Sequence, residues 1–292
     1  MVQQRSILKF NIFTFLKYLF LMFILLVIII PILHVFSVSL SSNIKIMNNE
    51  VTIYPKEINF NAYKFVLTDK NVLNAYKNTF IYVIVGTLLS LSVTTAGAYS
   101  LSKKRLFFQK GWMIVIIITM FFSGGMIPAF LNVKKLGLYD TMWAVVLPSL
   151  VSSWNLIVMK SFFVAFPEEI EESGKIDGLN DLGVFYYLVL PVSKASLSSI
   201  GLFYAVGLWN SYFTPFLYLE SKARFPLQIV LRSMLVSGTS LNAITLSGGD
   251  TAMVPETLKY ATVMVSIIPI MAVYPFIQKY FVKGVMVGSI KG

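Results

Sequence analysis

The sequence predicts an all-α integral membrane protein with six transmembrane helices and one short helix outside the bilayer. Three observations carry that prediction. The 292 residues are 57% hydrophobic and only 13% charged, where a soluble domain carries about 25% charged residues. Six apolar segments, near 18–40, 78–101, 111–131, 141–161, 192–218 and 258–281, are each long enough to cross ~30 Å of hydrocarbon at about 20 residues per span. One acidic island breaks the apolar pattern: Pro167-Glu168-Glu169-Ile170-Glu171-Glu172-Ser173-Gly174-Lys175-Ile176-Asp177-Gly178, followed by Leu188-Val189-Leu190-Pro191.

The first segment, Tyr18 to Leu40, carries no ionisable residue except His34. Arg5 and Lys9 precede it and Ser37-Val38-Ser39 resembles a cleavage site, but the run exceeds the ~7–15 residues of a signal core, so it reads as a retained span. His34 is expected to pack or hydrogen-bond inside the bundle rather than to relay protons. Between the first two spans lies an outer segment, 41–77, in which Asn59-Phe60-Asn61-Ala62-Tyr63 reads as the capped start of a short helix. The second span carries Gly86, Ser90, Thr94 and Ala98 at four-residue spacing, a stripe that lets another helix approach closely. Gly201 and Ala205 do the same in the fifth. Near the end of the third, Ser123-Gly124-Gly125-Met126-Ile127-Pro128 predicts an unwound stretch.

The acidic island has helical spacing over 167–182. Pro167 suits a first helical position, the glutamates complement the positive end of the helix dipole, and Gly178 permits a sharp stop. Ile170, Gly174 and Asp177 share one face, with Glu168, Glu172 and Ser173 on another. A second outer segment, 219–257, contains turns at Ser237-Gly238-Thr239-Ser240 and Ser247-Gly248-Gly249-Asp250, whose small residues suit a flexible loop. The 102–110 loop bears Lys103, Lys104, Arg105 and Lys110 with no acid. With the N-terminal tail (1–17) and the C-terminal tail (282–292) also basic, the loop places both termini and the acidic island in the cytoplasm.

Composition also excludes chemistries. There are no cysteines, hence no thiol catalysis and no cysteine-ligated metal. No G-x-x-x-x-G-K-[ST] loop, H-E-x-x-H or G-x-S-x-G is present. The net charge of +11 reads as membrane topology and lipid headgroup contact, not nucleic-acid binding. Few charges lie deep in the spans, against an ion-coupled carrier, so uphill transport would draw on a partner's energy.

Glu172-Ser173-Gly174, three residues, Gly178, nine residues, then Leu188-Val189-Leu190-Pro191 resembles the EAA loop of binding-protein-dependent ABC importers, E-A-A, three residues, G, nine residues, I, any residue, L-P. The spacing is kept; Ser173 and Gly174 replace two alanines and Leu188 the isoleucine. Gly174 alone should weaken the helix by ~1 kcal/mol relative to Ala. Phe121 to Pro128, Lys135-Leu136-Gly137-Leu138, Trp209-Asn210-Ser211-Tyr212-Phe213 and the ending Tyr280 to Gly292 are similar to carbohydrate-uptake permeases, the MalG-like, LplC-type subgroup.

The resemblance implies the type I ABC importer permease fold and a division of labour. This chain would pair with a second, homologous permease subunit as a heterodimer, alongside two ATPase subunits that bind ATP and Mg, and an extracytoplasmic solute-binding protein that delivers a saccharide. It would hold no cofactor or metal and perform no catalysis itself. Glu171, Glu172, Ser173, Gly174, Asp177, Gly178, Leu190 and Pro191 would couple it to the ATPase. Gly288, Lys291 and Gly292 of the tail would reach between the ATPase subunits, and the loop with Gly238, Ser247, Gly248 and Gly249 would approach the binding protein. Asn155, Trp209, Asn210 and Tyr212 are candidates for the substrate pathway, since sugars pair apolar ring faces with hydroxyl edges. A permease for another solute such as a peptide, an ion-coupled carrier, and a non-transporting scaffold or sensor remain as alternatives.

Overall fold

The computed structural model describes residues 12–237, 257–272 and 275, and every regular element among them is helical. The expectations for Gly238, Ser247, Gly248 and Gly249, for the later part of the last apolar segment, and for Gly288, Lys291 and Gly292 lie outside the described residues. The described residues fall into two compact units, one holding those up to Thr68 with Met234 to Ile267, the other Asp69 to Ser233 with those from Ile268 onward.

In the first unit, α1 (Ile12–Leu40) is one apolar rod of 29 residues. Its side chains from Ile12 to Leu33 are almost all exposed, as those of a lipid-facing helix are. The end of α1 turns polar and buries. The Ser37 hydroxyl donates to the Ile53 carbonyl, Ser39 and the Tyr63 hydroxyl share a 2.7 Å bond, and Ser41 donates back to the Ser37 carbonyl at 2.6 Å. His34 is half-buried, its Nδ1 2.8 Å from the Thr52 carbonyl and its ring edge-on to Tyr260 at 6.3 Å, a packed histidine. Short helices α2 (Asn43–Met47) and α3 (Asn61–Thr68) follow. The Asn59 side chain accepts the Asn61 N–H at 2.8 Å, which starts α3 where the asparagines suggest.

In the second unit the spine is α4 (Lys70–Ser102), 33 residues and ~50 Å long. The Asp69 carboxylate caps it, accepting from Asn71 and Val72 N–H. After α5 (Gln109–Phe121) and α6 (Met126–Lys135) come α7 (Met142–Val146), a 3-10 turn at Leu147–Ser149 and α8 (Ser153–Val164). Next are α9 (Glu168–Ile176), α10 (Asp181–Gly183), a π-helical turn at Val184–Val189, α11 (Leu190–Val192) and α12 (Lys194–Trp209). α13 (Phe213–Tyr218) follows, then α14 (Leu227–Ser237), whose last residues belong to the first unit, and α15 (Thr257–Ala272), which belongs to the first unit as far as Ile267.

The small-residue stripe of α4 lies where α12 and α8 cross it: Gly86, Ser90, Thr94 and Ala98 are all buried. A Cβ on Gly86 would stand 2.6 Å from a Leu208 methyl, so the close approach depends on glycine. The core below is Ala98, Tyr99, Met159, Phe163, Val184, Phe185, Val189, Ile200 and Tyr204.

Three expected spans are bent. The third breaks by 111° between α5 and α6, at the glycines that predict it, with Gly125 at φ +86°. The fourth bends 51° between Ser149 and Ser153. The fifth, expected as one rod over 192–218, instead joins Asp181–Val192 to Lys194–Trp209 at 83° and stops at Trp209, with α13 as a separate helix. Pro191 has no N–H to continue a helix, so the chain turns there. Among the described residues two helices are long and apolar enough to cross a membrane unaided, and five spans result if each bent pair counts as one. The helix expected over 167–182 ends at Ile176, because Gly178 takes φ +85° and closes it with Leu179 N–H to Gly174 carbonyl at 2.9 Å.

Residues 218–227 form a polar knot. Asp140 accepts the Glu220 and Ser221 N–H groups, each at 3.0 Å, the Ser221 hydroxyl at 2.5 Å and Arg224 Nη1 at 2.6 Å. Burial pushes the Asp140 pKa up, but the Ser221 hydroxyl, these N–H groups and the Arg224 charge outweigh it and hold it down at about 2. Asn74 and Asn78 of α4 donate to the Ala223 carbonyl at 2.7 and 2.8 Å, Tyr82 to the Arg224 carbonyl at 2.8 Å, and Thr79 accepts the Leu227 N–H at 2.8 Å.

Candidate functional site: the acidic helix, its basic clasp and an interior cavity

Helix α9 has an inner and an outer face. Gly174 is buried because Leu188, Leu179 and Val184 lie on it; a Cβ there would meet a Leu188 methyl at 2.5 Å. Glu171 faces inward as well, with 14% of its side chain exposed, and pairs with Lys103, itself 17% exposed. Lys103 also sits 4.1 Å above the Tyr99 ring. Tyr99 packs on Phe185 at 4.8 Å and Phe163 at 5.9 Å, so the helix is joined through one lysine to the core of α4, α8 and the π-helical turn.

Two further pairs complete the clasp. Lys104 reaches Glu168 at 2.8 Å, and Arg105 reaches Asp181 at 2.5 Å, with Lys175 on the same carboxylate oxygen at 3.6 Å. The hydrogen bond from Lys104 and its charge lower the Glu168 pKa, and the bond and charge of Arg105 do the same for Asp181. The basic loop therefore grips the acidic helix.

The outer face carries Glu169, Glu172, Ser173 and Ile176 at helical spacing, all exposed. Ile176 is 86% exposed, an apolar residue at the centre of a charged surface. Asp177 and Gly178 follow, exposed, at the turn.

A cavity of about 440 Å³ opens where the fourth apolar segment bends. Ser149, Ser152, Trp154 and Asn155 line it from the bend, Tyr204 and Ser211 from the α12 side. The Tyr204 hydroxyl accepts the Ser152 N–H at 2.9 Å and bonds Thr94 at 2.7 Å, so it fixes the bend to α4.

No protein-family model matches the chain. Its sequence is similar along its whole length to the polygalacturonan/rhamnogalacturonan transport system permease protein YtcP of Bacillus subtilis (strain 168), 38% identical over 286 residues, 98% of this chain and 100% of the relative. The protein LplC of the same organism is 41% identical over 266 residues, 90% of this chain and 89% of the relative. A chain in the crystal structure of a bacterial ABC transporter involved in the import of the acidic polysaccharide alginate superposes with a TM-score of 0.87 at 33% identity, covering 96% of this chain and 99% of that one. The chain belongs to the family of carbohydrate ABC transport permeases.

The permease is an integral membrane protein and a transport subunit, with ATP hydrolysis left to a separate partner. Its structure sorts the residues singled out in sequence. Glu172, Ser173, Asp177 and Gly178 are outward, while Glu171 is committed to Lys103 and Gly174 to Leu188. Leu190 is half-buried and Pro191 exposed. Of the four pathway candidates only Asn155 lines the cavity. Trp209 is buried against Tyr76 and Phe80, its indole N–H without a partner among the described residues. The Asn210 amide donates to the Val206 carbonyl at 3.0 Å, and Tyr212 stacks on Phe216 at 5.4 Å under the Arg232 guanidinium at 4.5 Å. Sequence reasoning missed the clasp and Ile176. The alternation of a basic and an acidic segment of matching length was the available signal for the clasp. Among the described residues no cluster of His, Asp and Glu is suited to a metal ion.

Proposed function

We propose that this permease is one half of a heterodimeric, ATP-driven, binding-protein-dependent importer that carries fragments of an acidic polysaccharide across the bacterial plasma membrane by alternating access. The observation that carries the reading is full-length similarity to a polygalacturonan/rhamnogalacturonan permease together with 33% identity and a TM-score of 0.87 to an alginate importer chain.

In this reading the chain makes six spans, the five counted with each bent pair as one and the last apolar segment that begins with α15, with both tails in the cytoplasm. The outer face of α9, with Glu172, Ser173, Ile176 and Asp177, seats in a groove of one of two ATPase subunits, which bind ATP and Mg. The exposed Ile176 supplies the apolar anchor and the carboxylates the polar rim. Gly288, Lys291 and Gly292 contact the ATPase pair, and the loop with Gly238, Ser247, Gly248 and Gly249 meets the solute-binding protein. Lys103, Lys104 and Arg105 keep the helix pressed on the bundle, so that ATPase closure moves α4 and α8 rather than α9 alone.

Purification from the native membrane in gentle detergent, with mass spectrometry of the partners, is the test. A second permease, an ATPase and a binding protein are expected, followed in proteoliposomes by ATP-dependent uptake of labelled oligogalacturonides in preference to lactose or arabino-oligosaccharides. Recovery of the chain alone, or uptake that survives ATP depletion and collapses with an ion gradient, would contradict the proposal.

A further inference from the structure

We infer that the cavity at the bend of the fourth apolar segment is a subsite for one sugar ring of the cargo, with Asn155 as its hydrogen-bonding contact and Trp154 as its stacking surface. The inference rests on the saccharide reading above and goes beyond it by placing cargo contacts inside this subunit.

Asn155 carries the argument. The residue is only 6% exposed, and its side-chain amide has no hydrogen-bond partner among the described residues yet is not sealed from solvent, so it opens on the cavity. An amide offers two donors and an acceptor, and here they face whatever enters the cavity. A hydroxyl-rich ligand satisfies all three. Its neighbour Trp154 is 61% exposed on the same cavity, a large aromatic face unpaired with any other ring among the described residues. Sugar rings present apolar C–H faces that stack on aromatic rings and hydroxyl edges that seek amides, and these two residues provide one of each. The Ser152 and Ser211 hydroxyls line the same space.

The frame is built to hold that arrangement. The 3-10 turn at Leu147–Ser149 and the 51° bend put α8's first residues at the cavity, and Ser152 caps α8. Tyr204, itself tied to Thr94, anchors the bend. Irregular backbone at membrane depth is tolerated only where it meets protein or a water-lined cavity. The volume of about 440 Å³ falls in the ~300–1,000 Å³ range of small-molecule sites.

The experiment uses the complete importer in proteoliposomes and whichever labelled saccharide the wild-type complex carries from the panel above. Asn155→Leu and Trp154→Ala are expected to lower uptake about tenfold, equivalent to ~1.4 kcal/mol, while the binding protein still stimulates ATP hydrolysis as in wild type. Trp154→Phe should keep most uptake. Asn155→Asp, nearly unchanged in shape, is the second variant should Asn155→Leu fail to assemble, and is expected to impair uptake of acidic cargo at least as much. Assembled Asn155 and Trp154 variants that transport at wild-type rates overturn the subsite alone. A wild-type complex that hydrolyses ATP but carries no saccharide removes the function and the subsite together.

Discussion

The two ends of α4 hold their neighbours by different means. At its start, Asn74, Asn78, Thr79 and Tyr82 bind the backbone of residues 223–227 through neutral hydrogen bonds. Just past its other end, Lys103, Lys104 and Arg105 bind α9 and Asp181 through charges, and two of the three pairs stand in solvent. Neutral bonds to a carbonyl fix position and feel little salt. Exposed ion pairs are each worth ~0–1 kcal/mol and are screened. The 218–227 knot is therefore a fixed corner, while α9 is held at one sheltered point, Lys103–Glu171, and softly at two others. The coupling role proposed for α9, following a partner while pulling on the bundle, would draw on that combination.

The largest effect should come from breaking the sheltered point. Glu171→Leu leaves the Lys103 charge buried without its carboxylate, a change that costs ~3–5 kcal/mol in comparable pairs. Thermal unfolding of the purified complex should show the loss, and the swap Lys103→Glu with Glu171→Lys should restore part of it. An unshifted midpoint for Glu171→Leu would mean the clasp bears no weight.

Asp140→Ala should come next, about 2–3 kcal/mol, since several donors lose one charged acceptor. The same site sets an acid dependence. With its pKa at about 2, below the ordinary ~3.9, Asp140 contributes stability that is complete above pH ~4 and lost as pH falls towards 2. The Glu168 and Asp181 pKa values are lowered too, so acid weakens both ends of α4 in the same direction. Asp140→Ala should flatten the midpoint's dependence on pH in that window; a dependence as steep as wild type would assign it to other carboxylates.

Salt separates the two ends. Raising it to 1 M, where screening acts within ~3 Å, should loosen the Lys104–Glu168 and Arg105–Asp181 pairs and increase hydrogen exchange in 168–181 more than in 218–227, where one ion pair, Arg224–Asp140, works beside neutral bonds. Equal responses would erase the distinction. The smallest effect is expected for Gly174→Ala, under ~1 kcal/mol, because the helix gain is offset by displacing the flexible end of Leu188. A loss of several kcal/mol would show that Leu188 cannot yield.

Much of this was legible in sequence where a single residue type decides the outcome. Gly125 and Gly178 sit at positive φ at breaks their sequence context predicts, and the Gly86–Ala98 stripe lies at a helix crossing. What stayed hidden depended on which neighbour a residue would meet. Periodicity puts Glu171 and Glu172 on different faces of α9, but only the place of Lys103 tells which one turns inward. Trp209 reads as a pathway aromatic until Tyr76 and Phe80 are seen to enclose it. Hydropathy runs on through Phe213–Tyr218 and suggests one span over 192–218, although the helix stops at Trp209 and the 83° bend stands at that segment's start.

The most direct test of the central claim, that the outer face of α9 carries ATPase motion into the bundle, is the ratio of ATP hydrolysed to saccharide imported for Glu172→Lys in the reconstituted importer. Reversing charge on that outer face should leave the complex assembled and hydrolysing ATP while uptake collapses, so the ratio rises steeply. A wild-type ratio in a fully assembled Glu172→Lys complex would contradict it.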